Sequence, residues 1–340
     1  HEPGSLTIWL DNRGDEFDDL TNDYPDITRG AAIDLRRGMS VGGVDTTEKL
    51  PRTWIEGYAY RYIDGAALFE LQCIDWLERL AKFRYASEAA WSAADVSTIA
   101  SSVLGQVNLT LAAGSFGFST DFVISPRRNA DQALTDLLRR VDEYLYTGVD
   151  GEIQHKELDP SEAASYTYDW SAGGGANHPL MRGSEVAATS PRYTKGVVNG
   201  GPDLEYTGSA QDSDEITLVG TRLRTITDRD LSSNAQCAER ARAELRFWLA
   251  QTITGTIYSR PHFTLRMFDV VQLSAPAWGG PTVTGRVRRI TEEYGRGRSL
   301  WQQQVEIGGL ADRRIQSSDL SDGAVTSYQL DEGAVGTLEI

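Results

Sequence analysis

Leu6, Ile8 and Leu10 alternate with other residues at the start of the chain, the period-2 pattern of a strand with one buried face. The run Asp11-Asn12-Arg13-Gly14 stops it, because Asp and Asn side chains cap a turn and Gly14 supplies a positive φ. A second strand is expected over 31–37. Residues 54–62 and 67–74 form a hairpin across Ile63-Asp64-Gly65, an Asp-Gly turn. A short helical turn over 75–80 closes this β-rich region, which spans 1–82.

The period then lengthens to that of a helix. Ser92 with Asp95 is capping-box-like, and Val96, Ile99, Val103 and Leu104 recur at helical spacing. A second helix starts from Asn129 as its N-cap and carries Leu134, Leu137, Leu138, Val141 and Leu145 on one face. Residues 144–147 and 152–155 flank a second Asp-Gly turn at Asp150-Gly151. Two amphipathic helices beside a hairpin make a small α+β module over 83–157. Residues 158–192 carry little pattern around Gly173-Gly174-Gly175 and read as a linker or long loop.

From Tyr193 the chain returns to β, with one helix over 233–251 that buries Ala238, Ala241, Leu245, Trp248 and Leu249. Strands are expected over 255–258, 269–273 and 285–292, the last pairing with 300–307 across Tyr294-Gly295-Arg296-Gly297. This second β-rich domain spans 193–314. In the tail, Leu320-Ser321-Asp322-Gly323-Ala324-Val325 recurs ten positions later as Leu330-Asp331-Glu332-Gly333-Ala334-Val335. Residues 315–340 therefore read as a fibre-like segment that needs several chains to wind together, or else as a disordered tail. Starting at His1 without a methionine and stopping in mid-repeat at Ile340, the chain reads as a piece of something longer.

Composition narrows the function classes. Hydrophobic content of 40% and charged content of 24% are ordinary for a globular protein. No run approaches the ~18 apolar residues of a membrane span, and no signal segment is present. With 49 acidic against 33 basic residues and a net charge of −16, a continuous nucleic-acid-binding surface is not expected. An acidic lumen through which DNA slides without sticking stays open. Cys73 and Cys237 are read as small buried hydrophobes without a disulfide framework.

Candidate chemistry does not accumulate. His1, His155, His178 and His262 share no metal-ligand spacing, and His155 is read as packed or solvated. The neighbours Asp142-Glu143 and Glu292-Glu293 point in different directions and read as surface charges, not as a glycosidase pair. Gly173 to Gly175 precedes no helix, so it is no phosphate loop. Trp76, Trp248 and Tyr144 lie on expected core faces. No catalytic, cofactor-binding or metal site is assigned, and the chain is not expected to be an enzyme.

Five stretches of the chain, in order, resemble those of tail-tip or baseplate hub proteins of tailed phages and phage-like particles. The opening Leu10-Asp11-Asn12-Arg13 is similar to that family's "L-D-N-R-x-G-x-F/Y". Residues 54–59 and 75–80 resemble its "x-F-x-G-x-I" and "D-x-L-x-x-L". The span from Ala93 through Ile153 is similar to its "A-x-D-x-x-x-x-I-L" helix and the "D-G-x-L" that follows. Residues 262–271 resemble "P-x-L-x-x-G-D-V-V", with Phe268 replacing the Gly before Asp269, so a differently built turn is expected there; 285–291 resemble "G-x-x-x-V-x-x-V-x-H".

The resemblance implies an α+β, β-dominated fold with two tail-tube-like β-barrel domains and a small α+β module between them. It implies a homotrimer giving a pseudo-sixfold ring beneath a hexameric tail tube. It also implies partners: the tail tube or distal tail protein, the tape-measure protein, and a tip fibre or spike. The implied location is the virion tail tip, assembled in the host cytoplasm, with roles in host attachment and DNA ejection. Two alternatives remain: a receptor protein binding host carbohydrate through aromatics such as Trp170 and Trp278, and a hub with a cell-wall hydrolase outside these motifs.

Overall fold

The computed structural model describes residues 5–308 apart from 16, 20–23, 25, 42–43, 64, 149, 158, 160–161, 170–177, 182, 189–190, 263, 275–282 and 296–299. His1, Trp170, Gly173 to Gly175, Trp278, part of the Tyr294–Gly297 turn and the C-terminal repeat lie outside the described residues.

The first region is a strand-rich unit: β1 (Ser5–Asp11), β2 (Ala32–Ile33), β3 (Arg36–Val41), β4 (Val44–Lys49), β5 (Thr53–Ile63) and β6 (Ala66–Ile74). Four of these form a sheet in the order β1-β6-β5-β2, while β3 and β4 pair as a separate hairpin. The expected strand over 31–37 is thus broken at Asp34-Leu35, where Asp34 accepts two hydrogen bonds from Arg52 (2.7 and 2.9 Å). Alternation sets the register: Leu6, Ile8 and Leu10 stand opposite Cys73, Leu71 and Phe69. Consecutive residues Trp54 and Ile55 face opposite sides of the sheet, and the bulge between Ile55 and Gly57 shifts the alternation so that Tyr58 shares the face of Ile55. Ile55 joins Phe69, Leu71 and Cys73, whereas Trp54 joins the core of the next unit, under the Arg79 guanidinium.

Helix α1 (Trp76–Lys82) starts at Asp75, whose carboxylate accepts from the Glu78 backbone N–H. Then come β7 (Ala89–Asp95), α2 (Val96–Gly105), β8 (Ser119–Ile124), α3 (Ala130–Leu138), β9 (Glu143–Thr147) and β10 (Ile153–Glu157). Two details differ from the sequence expectation. The cap of α2 is Asp95, accepting from the Ser97 N–H, and Ser92 lies within β7, bonded to Asp121. Helix α3 ends at Leu138 because the Arg140 and Val141 amides bond three residues back, so Val141 and Leu145 fall outside it.

The span 158–192, expected as a linker, supplies β11 (Tyr166–Asp169), β12 (His178–Pro179) and β13 (Glu185–Ala188). Next follow β14 (Lys195–Gly200), β15 (Tyr206–Gln211), α4 (Ser213–Val219), β16 (Leu223–Asp228) and α5 (Asn234–Ala250), capped by Ser233. The chain ends its described part with β17 (Ile253–Ser259), β18 (Val270–Ser274), β19 (Val283–Gly295) and β20 (Leu300–Ile307), the last two paired as expected.

The second β-rich region is therefore divided, and it holds two helices where one was expected. Strands β15-β14-β16 carry α5 on one face, and Val198, Cys237 and Ala241 share one apolar core with Leu80 of α1 and with Ile99 and Leu137 of the module. Strands β12-β11-β18-β19-β20-β17-β13 form a seven-stranded sheet with its own core around Tyr168, Ile257, Val287 and Val305. Local pattern hid this, because β11 pairs with β18 about a hundred residues away. The fold is α+β and β-dominated, as expected.

Candidate assembly surface

The first sheet presents an apolar face whose cover runs out. Phe17 stacks on Phe69 (centroids 5.0 Å), Tyr24 leans on Phe17, and the Tyr60 hydroxyl donates to the Phe17 carbonyl at 2.6 Å. Past this cover, Tyr58, Tyr60 and Tyr62 stand at alternate positions of β5, exposed to 44%, 51% and 77%. On the opposite face of the sheet Trp9 is 60% exposed. Among the described residues only Ile55, Phe69, Leu71 and Cys73 form the buried centre of this sheet. Among the described residues no further strand pairs with β1 or β2 in this sheet, which leaves them as its edges.

The turn after β1 is built on Asn12. Its backbone N–H donates to the Ala67 carbonyl, its side-chain Nδ2 donates to the Asp18 carboxylate, and its side-chain oxygen accepts from the Phe17 N–H, each at 2.9 Å. These bonds carry the chain back over Phe69. The positive φ falls on Asp15 (57°) and not on Gly14, because Asp tolerates the left-handed region too. Arg13 hydrogen-bonds Asp11 and holds its carboxyl down to about 2. Partial burial and the nearby Asp18 and Asp19 raise the Tyr60 phenol.

The module and the region of β16 and α5 are joined by buried charge. The Arg140 side chain is 5% exposed and donates to Thr120, the Asp121 carbonyl, Asp228 and Asp230. Arg240 continues the chain from Asp228 to Glu244. Asp142 pairs with Arg246, and Glu143 with His155 (3.2 Å), so these two carboxylates are not the surface charges expected. Burial raises the Glu143 carboxyl. His155 packs on Phe116, and His262 is buried with its N–H donating to Gln303. Of His178, Glu292 and Glu293 no side-chain position is described.

Phe268, which stands where the resembled motif has Gly, takes φ +68° and so keeps the turn that a glycine would make. Its ring is buried against Tyr144 and Tyr146. Cys73 and Cys237 are buried free thiols, as expected. Trp76 and Trp248 are buried, and Tyr144 is half-buried, on the core faces expected of them. Among the described residues no group of three His, Cys, Asp or Glu side chains is placed to hold a metal ion, and no helix is long and apolar enough to cross a membrane. The tyrosine stripe was not singled out in the sequence; its signal was the alternation Tyr58-Ala59-Tyr60-Arg61-Tyr62, with only small or charged residues between the rings.

No family profile matches the sequence, and no curated protein matches it. The fold does find counterparts. A tail protein from Neisseria meningitidis MC58 is similar over 89% of this chain and 91% of its own, at 15% identity and a TM-score of 0.57. The 43 kDa tail protein of prophage MuSo2 from Shewanella oneidensis covers 90% and 89%, at 10% identity and a TM-score of 0.57. The chain has the prophage tail-protein fold. Prophage tail protein gp18 from Listeria monocytogenes shares this fold at 8% identity and a TM-score of 0.52, over 90% and 87% of the two chains. At such identities the tail-protein fold is held by burial pattern and turn geometry more than by particular residues.

Proposed function

We propose that the chain is a structural hub subunit of a phage or phage-like tail tip, and that copies of it close into a trimeric, pseudo-sixfold ring. The carrying observation is the fold correspondence with prophage tail proteins over about nine-tenths of both chains. The first sheet supports it, since an amphipathic four-stranded sheet whose edge strands β1 and β2 pair with no further strand among the described residues gains burial from a neighbour. In this reading the 1–82 unit and the seven-stranded sheet are the two ring-forming β units, and the 83–157 module lies between them. Residues 315–340 lead into a fibre or spike, and the tail tube, a distal tail protein and a tape-measure protein are the partners. The subunit works by holding parts together and not by catalysis.

Light scattering on the full chain at tens of micromolar tests this. A mass of three chains is expected; a monomer at every concentration would count against the hub, and peptidoglycan cleavage by the chain alone would overturn the non-enzymatic reading.

A further inference from the structure

The seven-stranded sheet has a core of its own. Among the described residues, no side chain is common to the core around Tyr168, Ile257 and Val305 and the one that joins Ile99, Leu137 and Cys237. Between them lies a small aromatic cluster whose buried member is Phe268, with Tyr144, Tyr146, Phe247 and Met267 half-buried around it. Phe268 comes from the turn before β18, whereas Tyr144 and Tyr146 belong to β9 and Phe247 to α5. The ring therefore crosses from one body into the other, its centroid 5.4 Å from that of Tyr144 and 5.7 Å from that of Tyr146. Both sides of this contact are braced. On the plug side, the Phe268 N–H donates to the Val287 carbonyl (2.8 Å) and the Val287 N–H to the Asp269 carbonyl (2.9 Å). Arg286 donates to the Phe268 carbonyl (3.1 Å) and to Glu162 (2.6 Å). On the socket side, Arg246, next to Phe247, holds Asp142 beside β9 and Glu157 of β10.

We infer that Phe268 is the lock of a joint. Seated between Tyr144, Tyr146 and Phe247, it fixes the angle at which the seven-stranded sheet leaves the body formed by the module and α5; with the ring withdrawn, that sheet swings as a unit. The backbone supports this, since φ is +68° at Phe268, a conformation that strains a phenylalanine and not a glycine. The ring is not part of the core of its own sheet, so contacts across the boundary are what hold the strained residue in place. A packed ring of this kind is either in its socket or out of it, which gives the joint two states and not a continuum. Beside it, Lys156, Glu162 and Arg286 form a chain of ion pairs, 2.6 Å at each link, along the crossing from β10 to β11. The joint stands whether or not copies of the chain close into a ring.

Double electron–electron resonance on the full chain tests it, with nitroxides at Glu185→Cys in β13 and Thr225→Cys in β16, both exposed positions. The native Cys73 and Cys237 are buried, and labelled chain is diluted in unlabelled chain so that only distances within one copy are read. A single narrow distance is expected with Phe268 in place. Phe268→Ala should widen the distribution about twofold or more, and Tyr146→Ala should widen it likewise from the socket side, leaving the turn and the core around Tyr168 untouched. Should Phe268→Ala lose strand signal in circular dichroism, Tyr146→Ala decides. Unchanged narrow distances in the folded variants would overturn the joint, as would a broad distribution with Phe268 in place. Loss of strand signal in both variants would overturn it too, because the ring would then support the fold itself and not an angle.

Discussion

Replacing Gly208 by alanine tests how the tail-protein fold holds α5 on its sheet. Gly208 lies in β15 facing the helix, and a Cβ there would stand 2.1 Å from the Ala238 nitrogen, 2.4 Å from the Cys237 carbonyl carbon and 2.6 Å from the Ala238 Cα. All three are helix backbone, which cannot swing aside as a side chain can. The helix must therefore retreat by about 1 Å, and a gap of about 0.5–1 Å already forfeits a quarter to a half of each contact's attraction. The buried stripe of Cys237, Ala241, Leu245 and Trp248 would feel the loss. Overpacking of this kind costs about 1–3 kcal/mol, against a gain of about 0.4–1 kcal/mol from a less flexible unfolded chain. A net loss of about 1 kcal/mol is expected, a drop of roughly 0.5 M in urea midpoint. Gly57→Ala is the control, since its nearest atom is the Gln72 side-chain oxygen at an ordinary 3.8 Å. Urea unfolding followed by tryptophan fluorescence should separate the two variants. Equal midpoints would refute the close-approach argument.

Arg140→Ala would leave Asp228 and Asp230 without their shared partner, and a loss of about 3–5 kcal/mol in denaturant unfolding is expected. Phe268→Gly relieves about 1–2 kcal/mol of left-handed strain but removes a buried ring worth about 3–5 kcal/mol, so calorimetry should show a net loss of about 2 kcal/mol. Burial raises the folded-state carboxyl of Glu143 above its ordinary value of 4.5, so the folded chain binds more protons there than the unfolded one. That contribution is complete below the ordinary value and is lost as pH rises through the higher folded one. Glu143→Gln should therefore gain stability relative to wild type across that rise in a pH series of urea midpoints.

Much of the fold was legible wherever local pattern decides structure. The alternation Leu6-Ile8-Leu10, the hairpin of β5 and β6, the extent of α5 and its buried Ala241, Leu245 and Trp248 all follow from periods of two or 3.6 and from turn chemistry. Long-range pairing was not legible. β11 and β13 are short and lie amid polar residues, and they become strands only because β18 and β17 offer partners far along the chain. The sharing of one core between the module and α5 was hidden for the same reason. Inverted charge assignments at Asp142 and Glu143 show a further limit: whether an acid faces water depends on Arg246 and His155, which no local window contains. Of the candidate surface, the strands were legible, while the exposure of Tyr58, Tyr60 and Tyr62 was not. It depends on where the Phe17 loop stops covering the sheet.

Electron cryo-microscopy of the assembled full chain tests the central claim most directly. Three chains are expected in one ring, each contributing its two β units, giving six β units in pseudo-sixfold order. Particles of a single chain, or a twofold dimer joined through some other face, would contradict it.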